Sequence, residues 1–100
     1  MSETIMYISF KLVKGASIPD FLIASEKLNN EYMSKQKGYI SWKQLVEKDM
    51  WVDLITWESM EDAQRILDSS NPTELAKKFY SFINCNSCKV HLFSVEKTYK

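Results

Sequence analysis

The sequence predicts an α+β domain of the ferredoxin-like type, a split β-α-β sandwich whose four-stranded antiparallel sheet carries helices on one face. Three observations predict it. The chain has 100 residues, the size of one domain rather than two. Segments with strand and helix periodicity follow one another in the order β-α-β-β-α-α-β. Hydrophobic residues make up 45% of the chain, enough to build a core without disulfides. We therefore interpret residues 1–100 as a single domain.

The first strand and the first helix have clear signals. Residues Ile5 to Val13 alternate, and the apolar face consists of Met6, Ile8, Phe10 and Leu12. Ser17 to Asp20 combines a capping serine, an early proline and a carboxylate, as at the start of a helix. The apolar side chains of this helix recur at helical spacing and are Phe21, Ala24, Leu28 and Tyr32. We expect it to end before Gly38, a residue suited to the left-handed conformation that closes helices.

Two further strands are predicted as a hairpin. Residues Tyr39 to Glu47 are rich in β-forming side chains, Lys48 and Asp49 form a turn, and Met50 to Trp57 is almost continuously apolar. The two faces of the later strand carry Val52, Leu54 and Thr56 on one side, and Trp51, Asp53, Ile55 and Trp57 on the other. Because neither face is polar, we expect this strand in the centre of the sheet.

The second helical connection is predicted in two pieces. Ser59 to Asp62 is a capping sequence that opens a short helix with Ala63, Ile66 and Leu67 on its buried side. Asn71 to Glu74 interrupts it and supplies a new cap and an N-terminal proline. A third helix then carries an apolar face of Leu75, Phe79, Phe82 and Ile83. Residues Cys88 to Val95 are the predicted fourth strand.

This order leaves one face of the sheet without helices. Right-handed crossovers place the first and third strands side by side and all helices on the other face. The bare face then receives Tyr7, one apolar set of the third strand, and either Tyr39 with Leu45 or Ile40 with Trp42. Such a surface is too apolar for water, so we expect a homodimer in which two sheets cover each other.

Composition excludes several classes of function. Thirteen basic and thirteen acidic residues cancel without long runs, which disfavours nucleic acid and anionic membranes as partners. No apolar run approaches the roughly 18 residues of a membrane span and no signal peptide is visible, so we expect a cytoplasmic protein. Two glycines cannot build a glycine-rich phosphate loop, and no Gly-x-Ser-x-Gly elbow occurs.

One passage resembles a known family. Residues Trp51 to Ala63 read WVDLITWESMEDA, and a Lys-Gly pair lies after the first strand and another before the second. In this passage, and in its order of elements, the chain resembles the antibiotic biosynthesis monooxygenase-like (ABM-like) members of the dimeric α/β-barrel superfamily. The resemblance implies a dimeric α/β barrel with a ligand cleft between helices and sheet. It also implies either an oxygenase of aromatic polyketides that needs no cofactor, a haem-degrading monooxygenase, or a member without known activity.

The haem-degrading branch is a poor match. Activity in that branch depends on an asparagine in the first strand, a tryptophan ending the third and a histidine in the next helix. Trp57 matches the tryptophan, but Ile8 stands at the asparagine position and residues Ser59 to Ser70 contain no histidine. We therefore expect no haem degradation of that type and no cofactor.

Aromatic side chains are the candidate ligand contacts. The indole of Trp57 could stack on an aromatic ligand and its N–H could orient a carbonyl or hydroxyl, whereas core packing is the alternative. Trp42, Phe10 and Phe79 are the other candidates for the wall of a ligand cleft.

Asp53 and His91 are the candidate catalytic residues. Asp53 lies in an apolar strand, so its carboxylate must find a partner or shift its pKa. In a cleft it could take a proton from an acidic phenol or a 1,3-dicarbonyl carbon, and the alternative is an ion pair with a lysine across the dimer interface. His91, the only histidine, could act as a base, a haem ligand or a hydrogen-bond donor.

Cys85 and Cys88 have the two-residue spacing of redox dithiols. They follow a predicted helix and precede a strand, so no helix N-terminus stabilises a thiolate there. We interpret them as loop cysteines. One histidine and two such thiols do not make a convincing metal site, and no metal is expected.

Two functions fit these observations. The first is a homodimeric, cofactor-independent monooxygenase-like protein that binds a small aromatic or otherwise planar apolar molecule between helices and sheet. The second is a non-catalytic small-ligand-binding or regulatory homodimer, in which the same side chains belong to the core and the interface.

Overall fold

The computed structural model describes residues 2–69 and 73–100 and has the predicted α+β, ferredoxin-like arrangement. Its elements are β1 (Thr4–Leu12), α1 (Ile18–Glu31), β2 (Tyr39–Glu47), β3 (Met50–Trp57), α2 (Met60–Leu67), α3 (Glu74–Tyr80) and β4 (Ile83–Ser94). The strand order is β2-β3-β1-β4, and each neighbouring pair is antiparallel. The predicted central position of β3, beside β1, is confirmed. None of the helices in the described residues is long and apolar enough to cross a membrane.

The helix α1 begins as predicted but ends earlier. Ser17 Oγ accepts a hydrogen bond from the backbone N–H of Asp20, at 3.3 Å. Helical geometry ends at Glu31, because Tyr32 adopts φ −134° and ψ −63°, and a short 3₁₀ turn (Met33–Lys35) follows. Gly38 does have a left-handed φ of +83°, but it forms the turn into β2 instead of closing α1. The helix therefore ends before Gly38, as predicted, but the prediction that Gly38 closes it was wrong.

The helices α2 and α3 are both capped by hydroxyl groups. Ser59 Oγ accepts from the N–H of Asp62 at 3.1 Å, as predicted, and α2 ends at Leu67. Thr73 Oγ1 caps α3 by accepting from the N–H of Ala76 at 3.1 Å. The predicted cap and proline at Asn71 and Pro72 lie outside the described residues.

The boundary between α3 and β4 differs from the prediction. The helix ends at Tyr80, so Phe82 lies beyond it and Ile83 opens β4, where it pairs with Leu12. The spacing of Phe82 and Ile83 is compatible with a helix as well as a strand. Ile83 belongs to the strand because it pairs with β1. The early part of β4 bulges, since Ser9 pairs with Lys89 whereas Lys11 pairs with Asn84.

A second irregularity, in β2, changes which side chains face the helices. Tyr39 pairs with Trp57 while Ser41 pairs with Thr56, so Ile40 is an extra residue in the strand. Both Tyr39 and Trp42 therefore pack against the core on the helix side. Neither predicted pair lies together on the bare face, because the bulge breaks the alternation on which both alternatives rested. Tyr39 and Trp42 face the helices, whereas Leu45 lies on the bare face opposite Val52.

The core lies between the sheet and the helices. Its centre is Phe21 of α1, whose ring meets Trp51 edge-on at 5.2 Å between centroids and stacks on Phe79 at 5.3 Å. Trp57 and Ala63 close the same core with no exposed surface. None of the helices in the described residues lies over the opposite side of the sheet, which we call the bare face. Its apolar and aromatic side chains include Tyr7, Leu45, Val52, Leu54, His91 and Phe93.

Candidate functional site

A cavity of about 190 Å³ lies between the helices and the sheet, and we call it the helix–sheet cavity. Ile8, Asp53 and Ile55 line it from β1 and β3. Three of the four aromatic residues expected to contact a ligand also line it, namely Trp42, Phe10 and Phe79. Leu67, Tyr80 and Val90 are partly exposed lining residues and mark its opening to solvent. The cavity is therefore mainly apolar, with aromatic walls and a carboxyl group on its sheet side.

Asp53 is the charged group of this cavity. The side chain is placed there by strand alternation, since its neighbours Val52 and Leu54 face the other way. Only 3% of the residue is exposed, and Oδ1 has no hydrogen-bond partner within the described residues. Burial raises the pKa of Asp53 from 3.8 to about 7, and the nearby Trp42 and Gln44 side chains partly oppose that rise. Near neutral pH the group can therefore either accept or give a proton.

Of the two polar neighbours of Asp53, Gln44 has a hydrogen-bond partner and Trp42 has none within the described residues. Gln44 lies opposite Asp53 on β2 and donates its amide N–H to Ser25 Oγ at 3.0 Å. Ser25 in turn donates to the carbonyl oxygen of Phe21 at 2.8 Å, which ties this chain of bonds to α1. Trp42 Nε1 is buried without a hydrogen-bond partner in the described parts of the chain. Asp53 Oδ1 and Trp42 Nε1 are thus an unpaired acceptor and an unpaired donor among the residues of one cavity.

Tyr80 and Cys88 also line the cavity, although neither was predicted as a site residue from the sequence. Burial raises the pKa of the Tyr80 hydroxyl, and the negative charge of Asp53 raises it further. Burial likewise raises the pKa of the Cys88 thiol. The position of Cys88 follows from alternation with Val90, which lines the same cavity, whereas no spacing signal pointed to Tyr80 beside Phe79.

Trp57 lies at the end of β3, and it is not among the residues that line the helix–sheet cavity. Its ring is fully buried and meets Tyr39 edge-on at 5.9 Å between centroids. It borders a separate polar cleft beside Asp62 and Arg65, which form a hydrogen-bonded ion pair of 2.8 Å. This placement agrees with the core-packing alternative for Trp57.

His91 lies on the other side of the sheet from Asp53. It pairs with Tyr7 across β1 and β4, and its ring stacks on Phe93 at 5.8 Å between centroids. The two candidate catalytic residues are therefore not brought together within one chain, and His91 belongs to the aromatic group of the bare face.

Cys85 and Cys88 lie in the bulge of β4 rather than in a loop before it. The bulge is held by the backbone N–H of Lys11, which donates to Ser87 Oγ at 2.8 Å. Both cysteines are free thiols. Among the described residues, no group of three or more histidine, cysteine, aspartate or glutamate side chains could hold a metal ion.

Comparisons with known proteins identify the fold. No protein-family model and no curated protein matches the chain. SnoaB, a cofactor-independent oxygenase from Streptomyces nogalater, is 17% identical with a TM-score of 0.76, over 98% of this chain and 97% of SnoaB. A Bacillus cereus protein provisionally described as an antibiotic biosynthesis monooxygenase is 18% identical with a TM-score of 0.61, over 100% and 99% of the two chains. A dimeric Bacteroides fragilis protein of unknown function and ferredoxin-like fold is 9% identical with a TM-score of 0.65, over 95% and 98%.

These similarities extend over nearly the whole chain, so the fold implied by the resemblance is confirmed. The protein has the ferredoxin-like fold of SnoaB and of ABM-like structures.

Proposed function

We propose that this protein is a cofactor-independent monooxygenase-like enzyme that acts on a small aromatic or planar apolar ligand in the helix–sheet cavity. The observation that carries the proposal is Asp53, a carboxyl group buried in an apolar cavity with a pKa raised to about 7. Strongly shifted carboxyl groups in clefts are typical of general acids and bases. The fold shared with SnoaB supports the same kind of reaction.

The first step is proton abstraction. Asp53 in its ionised form takes a proton from an activated ring CH₂ group or from a ring hydroxyl of the ligand. Its raised pKa makes it a stronger base than an exposed carboxylate, because an apolar site disfavours its charge. The indole N–H of Trp42, which meets no acceptor in full hydrogen-bond geometry within the described residues, donates to the oxygen on which the negative charge of the ligand develops.

Molecular oxygen then oxidises the resulting anion. A ring CH₂ becomes a carbonyl, one oxygen atom enters the product and the other leaves as water, so the substrate itself supplies all the electrons. The apolar walls, which include Phe10 and Phe79, exclude bulk water from this step. No external reductant is required by this balance.

We also propose that two copies pair through their bare faces. On this face Phe93, whose ring lies 6.4 Å from that of Tyr7, is 54% exposed, and Leu45 is 45% exposed. Burying such groups against a second copy removes apolar area from water and forms a symmetric interface. The B. fragilis protein of the same fold is described as dimeric, which supports pairing of two copies.

The reaction is tested by oxygen uptake with a panel of ring phenols and ring ketones, with labelled O₂ used to follow one atom into the product. We expect uptake with at least one member and its loss, by about a hundredfold or more, in Asp53→Asn. The matched control is Asp49→Asn, whose carboxylate lies in the β2–β3 turn with 78% of its side chain exposed. Binding without oxygen uptake by any member would support the non-catalytic alternative instead.

A further inference from the structure

We propose, on the basis of the function proposed above, that the helix–sheet cavity selects planar one- or two-ring 1,3-dicarbonyl compounds and their enols, and excludes fused systems of three or more rings. The enol hydroxyl or the acidic carbon faces Asp53, and a carbonyl oxygen accepts from Trp42 Nε1. This inference narrows the ligand from any small aromatic molecule to a size and a hydrogen-bonding pattern.

Cavity size carries the first part of the inference. The volume is about 190 Å³. An apolar protein cavity of about 150 Å³ accommodates benzene, whereas sites for drug-sized ligands start at about 300 Å³. One ring or two fused rings therefore fill the space, and a third ring would have to displace part of the wall or extend into solvent through the opening at Leu67, Tyr80 and Val90, outside the apolar walls.

Wall shape carries the second part. Trp42 and Phe79 meet edge-on at 5.6 Å between centroids, and both line the cavity. Flat side chains in a cavity wall suit flat ligands, because ring faces and edges pack best against other rings. The remaining lining is largely aliphatic, from residues such as Ile8 and Ile55, and offers no further charge.

Two unpaired polar atoms carry the third part. Asp53 Oδ1 is an acceptor and Trp42 Nε1 is a donor, and neither has a hydrogen-bond partner within residues 2–69 and 73–100. A buried polar atom left without a partner costs about 1–3 kcal/mol. The indole N–H lies near enough to the Asp53 carboxyl to lower its pKa as a hydrogen-bond donor, but the two groups do not reach the geometry of a full hydrogen bond. A cyclic 1,3-dicarbonyl compound supplies one group to each atom, since its enol carries a hydroxyl donor and a carbonyl acceptor that the ring holds apart.

The experiment uses 1,3-indanedione, a two-ring 1,3-dicarbonyl, with 1-indanone as the control of nearly equal shape and a single carbonyl. Anthrone, a three-ring ketone, tests the size limit. Heteronuclear NMR follows the indole N–H signals of the wild-type protein, and the Trp42 signal is assigned with Trp42→Phe. We expect 1,3-indanedione to bind and to shift the Trp42 signal most among the indoles, and anthrone not to bind.

Calorimetry on variants gives a second, independent measurement. Asp53→Leu removes the acceptor while keeping a similar volume, and we expect it to weaken 1,3-indanedione binding about tenfold and to leave 1-indanone unchanged. Asp49→Asn, in the exposed turn, is expected to change neither affinity.

The inference is overturned if anthrone binds as tightly as 1,3-indanedione, if the two indane ketones bind equally, if the Trp42 signal does not move, or if no probe binds. Its failure is distinguishable from failure of the proposed function. Oxygen uptake with a three-ring substrate overturns the size limit and sustains the oxygenase. Specific binding of 1,3-indanedione, with no oxygen uptake by any compound, sustains the inference about the ligand and overturns the oxygenase.

Discussion

The two faces of the sheet differ in a way that reverses the usual pattern for a strand. In β3, the carboxyl group of Asp53 points towards the helices, whereas its neighbours Val52 and Leu54 point to the bare face. A strand with one solvated face ordinarily does the opposite and turns its charges to water. An ionisable group on the helix side, Asp53, indicates a site under the helices. Apolar side chains on the bare face, Val52 and Leu54, indicate an interface. The two proposals of function and of pairing thus rest on consecutive residues of one strand.

The largest expected effect concerns Asp53, on the side of the sheet that the helices cover, and it depends on pH. The pKa of Asp53 is 3.8 in its ordinary state and about 7 in the folded chain. Between these values the unfolded chain releases a proton that the folded chain retains, so the free energy of unfolding falls as pH rises from about 4 to about 7. Asp53→Asn removes this loss and is expected to be more stable than wild type by at most ~4 kcal/mol near pH 8. Denaturant unfolding of both proteins near pH 4 and near pH 8 measures this difference in stability.

The same comparison near pH 4 is the internal control, since both proteins carry a neutral group at this position there. Asp49→Asn should show no such gain at either pH, because its carboxylate is exposed. A stability difference that is the same at both pH values would show that Asp53 is not held with a raised pKa.

The second effect concerns the bare face. Phe93→Glu places a charge in the proposed interface, and we expect the dimer dissociation constant to rise at least ~100-fold, measured by sedimentation equilibrium. Phe93 is exposed in the single chain, so the substitution leaves the core intact. The matched control is Ile23→Glu on α1, because Ile23 is 55% exposed compared with 54% for Phe93. Equal dissociation by both variants, or a wild-type monomer at high concentration, would contradict pairing through the bare face.

The third effect concerns the close approach of α2 to the sheet at Gly38. This residue has φ +83°, and a Cβ there would collide with the side chain of Asp62. We expect Gly38→Ala to lower the free energy of unfolding by ~2–3 kcal/mol, from backbone strain and the clash together. Gly15→Ala is the control, since Gly15 has φ +80° with no atom near the added Cβ, and it should cost ~1 kcal/mol. Equal costs would mean that Asp62 moves aside freely.

The smallest expected effect concerns the hydrogen bonds that hold Gln44 beside Asp53. Ser25→Ala removes the acceptor of the Gln44 amide, and a loss of ~1 kcal/mol is expected in thermal unfolding. Ser34→Ala is the control because its hydroxyl bonds a carbonyl on the exposed surface. If Ser25→Ala has no larger effect than Ser34→Ala, this chain of hydrogen bonds does not stabilise the site.

Local signals in the sequence are sufficient to predict most elements. The limits of β2 and β3 agree with the hairpin signal, and the caps at Ser17 and Ser59 mark the helix starts. Alternation was also enough to place Asp53 on the same face as Ile55, which is how it reaches the cavity. Such features depend on neighbouring residues only, so a single sequence contains them.

Features that depend on pairing between strands could not be predicted. The extra residue at Ile40 reverses the faces of β2 at its start, and nothing in the local pattern marks it. The bulge of β4 is likewise unmarked in the sequence, and it shifts the register from Lys89 opposite Ser9 to Asn84 opposite Lys11. Trp57 and Asp53 share a face, but the residues lie far enough apart along β3 that only Asp53 reaches the cavity, and this distance depends on where the helices pack. His91 was chosen by chemistry alone, and its strand register directs it to the other face.

The most direct test of the site is an NMR titration of the Asp53 carboxyl carbon, assigned by comparison with Asp53→Asn. We expect the Asp53 carboxyl, buried in an apolar cavity, to titrate with a midpoint of about 7. A midpoint near 4 would mean that Asp53 is solvated or paired, and neither the acid–base role nor the reversed pattern of β3 would then stand.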